Sequence, residues 1–128
     1  MSNFYSRELI LENYHQPANR KQLANATGIA ELANVTCGDE IKAYVNIKED
    51  KVAELSYEIT GCALAIATAS ILSQELVGKT TAQLAELDIP FLEETLGDKL
   101  SINRVKCALL ALRGFQQAAG VREKTAAF

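Results

Sequence analysis

The chain has 128 residues, 48% hydrophobic and 23% charged, the balance of one globular domain over 1–128 rather than of a disordered chain. Thirteen Lys plus Arg against sixteen Asp plus Glu leave a net charge of −3, without the basic excess that marks a nucleic-acid binder. No apolar run approaches the roughly eighteen residues of a membrane span, and the start Met1-Ser2-Asn3-Phe4-Tyr5-Ser6-Arg7-Glu8 lacks a basic-then-apolar signal, so a cytoplasmic protein with no membrane or nucleic-acid partner is expected.

Residues 3–15 read as a helix, with Phe4, Ile10, Leu11 and Tyr14 on one arc and Glu8 and Glu12 elsewhere. Pro17 ends it, because the residue before a proline is pushed out of the helical region. A short edge strand is expected over 27–33. From 40 to 47 the alternation is clean: Ile41, Ala43, Val45 and Ile47 point one way and Lys42, Tyr44, Asn46 and Lys48 the other. After the polar Glu49-Asp50, the residues Ala53, Leu55, Tyr57 and Ile59 alternate with Glu54, Ser56, Glu58 and Thr60, which makes an antiparallel hairpin.

Beyond Gly61 the period changes. Residues 63–77 are rich in Ala and Leu and apolar nearly all round in the first half, as a buried helix is, and Gly78 closes them. A shorter helix is expected over 80–87, stopped before Pro90, then a helical turn leading to Gly97-Asp98. Asn103 is a cap for a last helix in which Val105, Leu109, Leu112 and Gln116 share a face, and residues 120–128 read as a frayed tail. Together these give an α+β fold, a small three-stranded antiparallel sheet with helices packed on one face.

The chemistry sits at the junctions. The three cysteines, Cys37, Cys62 and Cys107, are too few and too odd to form a disulfide framework. They are inert core residues, reactive thiols or ligands. A hairpin brings the start of one strand beside the end of the next, so Cys37 and Cys62 belong at one end of the sheet. If Cys37-Gly38-Asp39 is extended, Asp39 shares the core-facing parity of Ile41, where a carboxylate must be paired or metal-bound. If Gly38 kinks the chain, Asp39 is an exposed turn residue instead. Cys62 follows Gly61 at a helix start, where unpaired N–H groups favour a thiolate. Arg104 and Lys106 flank Cys107 and act in the same direction, unless they belong to a solvated helix face.

Several signals point nowhere. Gly78-Lys79-Thr80 resembles the end of a phosphate loop, but the glycine needed five residues earlier is Ser73. His15, the single histidine, reads as a surface residue, and the tyrosines are not interleaved with basic residues.

Four motifs in order, Thr36-Cys37-Gly38-Asp39, Thr60-Gly61-Cys62-Ala63, Gly78-Lys79-Thr80 and Arg104-Val105-Lys106-Cys107-Ala108, resemble the U-type iron–sulfur cluster scaffolds, the IscU, SufU and NifU N-terminal domain group. So does the early Tyr14-His15-Gln16-Pro17-Ala18-Asn19. The resemblance implies a scaffold that takes sulfur from a cysteine desulfurase, builds a labile 2Fe–2S cluster and passes it to apo-proteins. Alternatively, it implies a SufU-like zinc-dependent sulfurtransferase that relays persulfide. It maps the cluster or Zn2+ ligands onto Cys37, Asp39, Cys62 and Cys107, with Gly38, Gly61, Arg104 and Lys106 in support. It makes Cys37 the sulfur acceptor by analogy with SufU and Cys107 by analogy with IscU. The chain departs from IscU in carrying Lys106 where a histidine precedes the third cysteine. Its Ser101-Ile102-Asn103-Arg104-Val105-Lys106 replaces the leucine–proline–proline–valine–lysine motif, which leaves chaperone docking unsupported. It departs from SufU in lacking the insertion before the third cysteine.

Overall fold

The alternating segments do pair, and the computed structural model, which describes residues 3–35, 38–97 and 99–121, shows how the rest packs on them. The elements in chain order are α1 (Asn3–His15), β1 (Gly28–Asn34), β2 (Asp39–Lys48), β3 (Lys51–Thr60), α2 (Ala63–Glu75), α3 (Thr81–Ala85), α4 (Ile89–Leu96) and α5 (Ile102–Ala118). The strands form one antiparallel sheet in the order β1-β2-β3. Its inner face presents Ile41, Ala43, Val45, Leu55, Tyr57 and Ile59, all buried under the helices. One departure lies beside the β2–β3 turn, where the register shifts between Asn46 and Ile47. Val52, rather than Ala53, therefore pairs with Ile47 and is buried. A bulge reverses the alternation on its far side, which a strict period of two does not anticipate.

Helix α5 crosses the inner face of β1 and β2 closely. A side chain at Gly28 would collide with the Ala118 carbonyl, and one at Gly114 would stand 3.1 Å from Ile41 Cγ2. Helix α2 lies between α1 and α5, which is why its residues 65–73 are all buried. Their polar members serve the N-terminal segment. Ser70 Oγ donates to Asn13 Oδ1 (2.6 Å) and accepts from the Ala18 N–H (2.8 Å), and Asn19 Nδ2 donates to Ser73 Oγ (3.0 Å). This polar seam turns Leu9 and Asn13 of α1 inward and leaves Leu11 and Tyr14, two members of the apolar arc, at 46% and 38% exposure.

Three boundaries also differ from expectation. The shorter helix α3 does end before Pro90, at Ala85, but Pro90 itself sits in the first turn of α4, where its missing N–H removes no helical bond. Helix α5 starts at Ile102, and its cap is Ser101, two residues before Asn103, with Oγ accepting from the Arg104 N–H at 3.3 Å. Gly120 is not frayed. It has φ +77° and ends α5 through bonds from Gly120 N–H to Gln117 O (2.9 Å) and Val121 N–H to Gln116 O (3.1 Å), a Schellman closure. The remainder of the expected tail, residues 122–128, lies outside the described residues, as does Asp98.

The far part of α5 is held by charge. Arg113 is 1% exposed, and its Nη2 donates to Asp88 Oδ1 at 2.7 Å. Its Nη1 donates to Gln116 Oε1 (2.9 Å), and Gln116 Nε2 donates in turn to the Leu84 and Leu87 carbonyls (2.9 and 3.0 Å). Among the described residues no helix is long and apolar enough to cross a membrane.

Candidate metal centre

Asp39 opens β2 on the same parity as Ile41 and Ala43, so the sheet carries its carboxylate inward, and the residue is 2% exposed. Of the two conformations the sequence left open, the structure combines parts of each. Gly38 does bend the chain, with φ +76°, yet Asp39 is buried. A Cβ at Gly38 would meet nothing within 4 Å, so the glycine serves the left-handed backbone rather than a close approach.

On the neighbouring strand, β3 ends at Thr60 opposite Glu40, and the chain turns through Gly61 into α2. Here the glycine is demanded by space. A Cβ on Gly61 would lie 2.7 Å from Asp39 Oδ1 and 2.9 Å from Asp39 Cγ, so the bare backbone forms a cradle for the carboxylate. Cys62 follows as the N-cap of α2. Its N–H donates to Asp39 Oδ1 at 3.2 Å, and its Sγ accepts from the Ala65 N–H at 3.4 Å while lying 3.9 Å from Asp39 Oδ2. Cys107 arrives from the second turn of α5, with Sγ 3.7 Å from the Asn103 carbonyl.

One ligand atom from each of Asp39, Cys62 and Cys107 lies within 4.8 Å of the others. A tetrahedral zinc with bonds of about 2.0–2.3 Å sets its donors roughly 3.5 Å apart, so small side-chain rotations bring this set to bonding geometry. Two thiols and one carboxylate suit a borderline-soft or thiophilic metal. Cys62 is exposed and Cys107 partly so, which leaves the sulfur side open to a partner while the carboxylate is enclosed.

Cys37, the fourth ligand implied by resemblance, lies outside the described residues. Arg104 and Lys106 are exposed on α5, and neither side chain hydrogen-bonds to Asp39, Cys62 or Cys107 in the described structure. His15 is exposed and rests against Tyr14 at 5.1 Å between rings. Thr80 is the N-cap of α3 in a reciprocal capping box with Gln83, a structural use of the Gly78-Lys79-Thr80 stretch. Asn34, which sequence reasoning missed, faces Asp39 directly across the β1–β2 ladder and is 7% exposed. It continues the inward parity of Ala30 and Leu32, a signal hidden because the edge strand was expected to end at residue 33.

A family model described as the NifU-like N terminal domain matches residues 5–126. The chain is 27% identical to the iron–sulfur cluster assembly scaffold protein IscU 1 of Archaeoglobus fulgidus over 109 residues, 85% of this chain and 71% of that protein. It is 25% identical to the zinc-dependent sulfurtransferase SufU of Bacillus subtilis, covering 91% and 90% of the two chains. Its fold superposes with a TM-score of 0.73 on a SufU-type protein of Fervidobacterium islandicum, at 24% identity over 88% of this chain and 94% of that one.

Proposed function

The chain belongs to the family of NifU-like N-terminal domains, and on that premise we propose that it is an iron–sulfur cluster assembly scaffold. It accepts sulfur from a cysteine desulfurase, takes up iron, holds a transient 2Fe–2S cluster on Cys37, Asp39, Cys62 and Cys107, and hands the cluster to apo-proteins. The observation that carries this reading is the convergence of Asp39, Cys62 and Cys107 within 4.8 Å, with the sulfur side exposed.

The chain's own groups divide the work. The thiolate of Cys107 or Cys37 attacks the outer sulfur of the desulfurase persulfide. The S–S bond breaks, the desulfurase thiolate leaves, and the persulfide now sits on the scaffold. Each such sulfur gains two electrons, from ferrous iron or an external reductant, before it becomes sulfide. Cys62 is oriented by the Ala65 N–H, and Asp39 by the Cys62 N–H and the Gly61 cradle. Durable clusters of this kind are held by four thiolates. An oxygen ligand in one corner is harder and binds iron–sulfur units less firmly, which suits cargo that must leave.

A second reading, a zinc-dependent sulfurtransferase, is favoured by the near end-to-end match to the Bacillus subtilis SufU and by the Arg104-x-x-Cys107 pattern. In it, zinc on the same residues supplies Lewis-acid positioning of a thiolate, and persulfide leaves without cluster formation.

Anaerobic reconstitution with ferrous iron, cysteine and a desulfurase separates the two. The scaffold reading expects visible cluster absorbance that passes to an apo-ferredoxin and persists longer in Asp39→Ala. Stimulated desulfurase turnover with zinc retained and no cluster absorbance would select the sulfurtransferase instead.

A further inference from the structure

Asn34 stands at the end of β1, directly opposite Asp39 in the antiparallel ladder, so the two side chains share the inner face of the sheet. The Asn34 carbonyl accepts the Gly38 N–H at 2.8 Å, which fixes the residue against the bend that leads into Asp39. Its carboxamide is buried, at 7% exposure for the residue, yet Nδ2 has no hydrogen-bond partner among the described residues. Such a donor is destabilising when left alone, and native folds satisfy the great majority of them. Across the ladder the Asp39 carboxylate is turned to Cys62, with Oδ1 taking its N–H and Oδ2 3.9 Å from its sulfur, and neither oxygen holds the Asn34 amide. Asn34 thus borders the donor set of Asp39, Cys62 and Cys107 through its ladder partner Asp39.

We propose that Asn34 is a positioning residue of this site, whose carboxamide N–H donates to an anionic ligand atom, a thiolate sulfur or the Asp39 carboxylate, once a metal draws the donor set together. The inference rests on the metal-holding reading of Asp39, Cys62 and Cys107 and extends it to a fourth described residue. Side chains that orient metal ligands in this way typically change affinity ten- to a hundredfold when removed. A buried donor that gains its partner only on loading has a further consequence: removing it leaves the metal-free protein as stable as before or more so.

The test uses Co2+ and Zn2+ as probes on the full chain, with Asn34→Leu and Asn34→Asp compared with the unsubstituted protein. Co2+ absorbance reports the ligand field, competition with a chromophoric chelator reports Zn2+ affinity, and metal-free melting reports the fold. The proposal expects Zn2+ affinity to fall at least tenfold in Asn34→Leu, with an altered Co2+ spectrum and an unchanged or raised metal-free melting temperature. Equal affinity in Asn34→Leu beside an unsubstituted protein that binds well would overturn the role of Asn34 alone. A lowered metal-free melting temperature with unchanged affinity would make Asn34 a structural residue and also overturn it. Failure of the unsubstituted protein to bind either metal would overturn the reading beneath it. Asn34→Asp guards against a folding failure of Asn34→Leu, because it keeps the shape while removing the donor, and it is expected to lose affinity as well.

Discussion

Gly61 has no side chain because Asp39 occupies the place where one would stand, with its carboxylate 2.7 Å from the missing Cβ. Replacing Gly61 by Ala must displace a buried carboxylate, and overpacking of this kind costs about 1–3 kcal/mol. Gly61→Ala is therefore expected to lower Zn2+ affinity sharply while melting only modestly earlier; chelator competition that finds wild-type affinity would contradict the cradle. Two tyrosines make a separate statement about pH. The hydrogen bond that Tyr44 donates to Glu58 (2.6 Å) holds the Tyr44 phenol up at about 12, and burial holds the Tyr57 phenol, which donates to the Ala18 carbonyl, up at about 12. Raised phenol values stabilise the fold fully below the unfolded value near 10 and lose that contribution as pH climbs through 12. The same Tyr44 bond depresses Glu58, whose contribution is present above the ordinary carboxylate range and is lost as pH falls through its lowered value. Absorbance at the phenolate band should show two tyrosines ionising near 12 together with unfolding; ionisation of both near 10 with the fold intact would refute the assignment. At this scale the sequence was informative where chemistry repeats. Asp39 on an inward parity and Cys62 after a glycine were readable, whereas the burial of Asn34 depended on a strand end that propensity does not set.

Among the elements, the β2–β3 connection carries a strain visible only in three dimensions. Lys48 pairs with Lys51, and both residues between them, Glu49 and Asp50, have positive φ (51° and 65°). This is the twist-matched two-residue turn, built without the Asn-Gly that usually fills it. Asp50 has a second use, because its carboxylate accepts from Thr81 Oγ1 at 2.8 Å. Among the described residues Glu49 has no such bond, so Glu49→Asn is expected to stabilise by about 0.5–1 kcal/mol, the order of the left-handed penalty it relieves. A thermal melt that does not move upward would argue against strain at that position. The sheet itself was legible because Ile41, Ala43, Val45, Leu55, Tyr57 and Ile59 keep a period of two. Its exceptions were not, since the bulge beside Val52 and the start of α4 at Ile89 follow from pairing and packing rather than from local preference. Helix α1 misled for a related reason. Its apolar arc is real, but the polar seam from Asn13 to Ser70 decides which side faces α2.

Across the whole molecule, the start of the central strand, a helix start and a second helix meet at one end, while a partly buried ion pair fastens the other part of α5. Asp88→Ala would take from the Arg113 guanidinium, 1% exposed, its 2.7 Å bond to Asp88, and a hydrogen bond to a charged group contributes about 1.5–3 kcal/mol. Chemical denaturation should show a loss of that order; a change within about 0.5 kcal/mol would mean the pair is compensated by its other bonds. The α+β architecture was readable from element order, but the Arg113–Gln116–Asp88 linkage was not, because nothing in the spacing of a charged residue within an apolar face announces its partner. Asp39, Cys62 and Cys107 come from three different elements, so their approach to 4.8 Å is a property of the fold as a unit. The most direct test of what they hold is iron and acid-labile sulfide per chain, measured on protein purified without oxygen after supply of iron, cysteine and a desulfurase. The scaffold account predicts iron and sulfide in near-equal amounts, both lost in Cys62→Ser. Zinc alone with no sulfide, or a Cys62→Ser variant that keeps both, would contradict it.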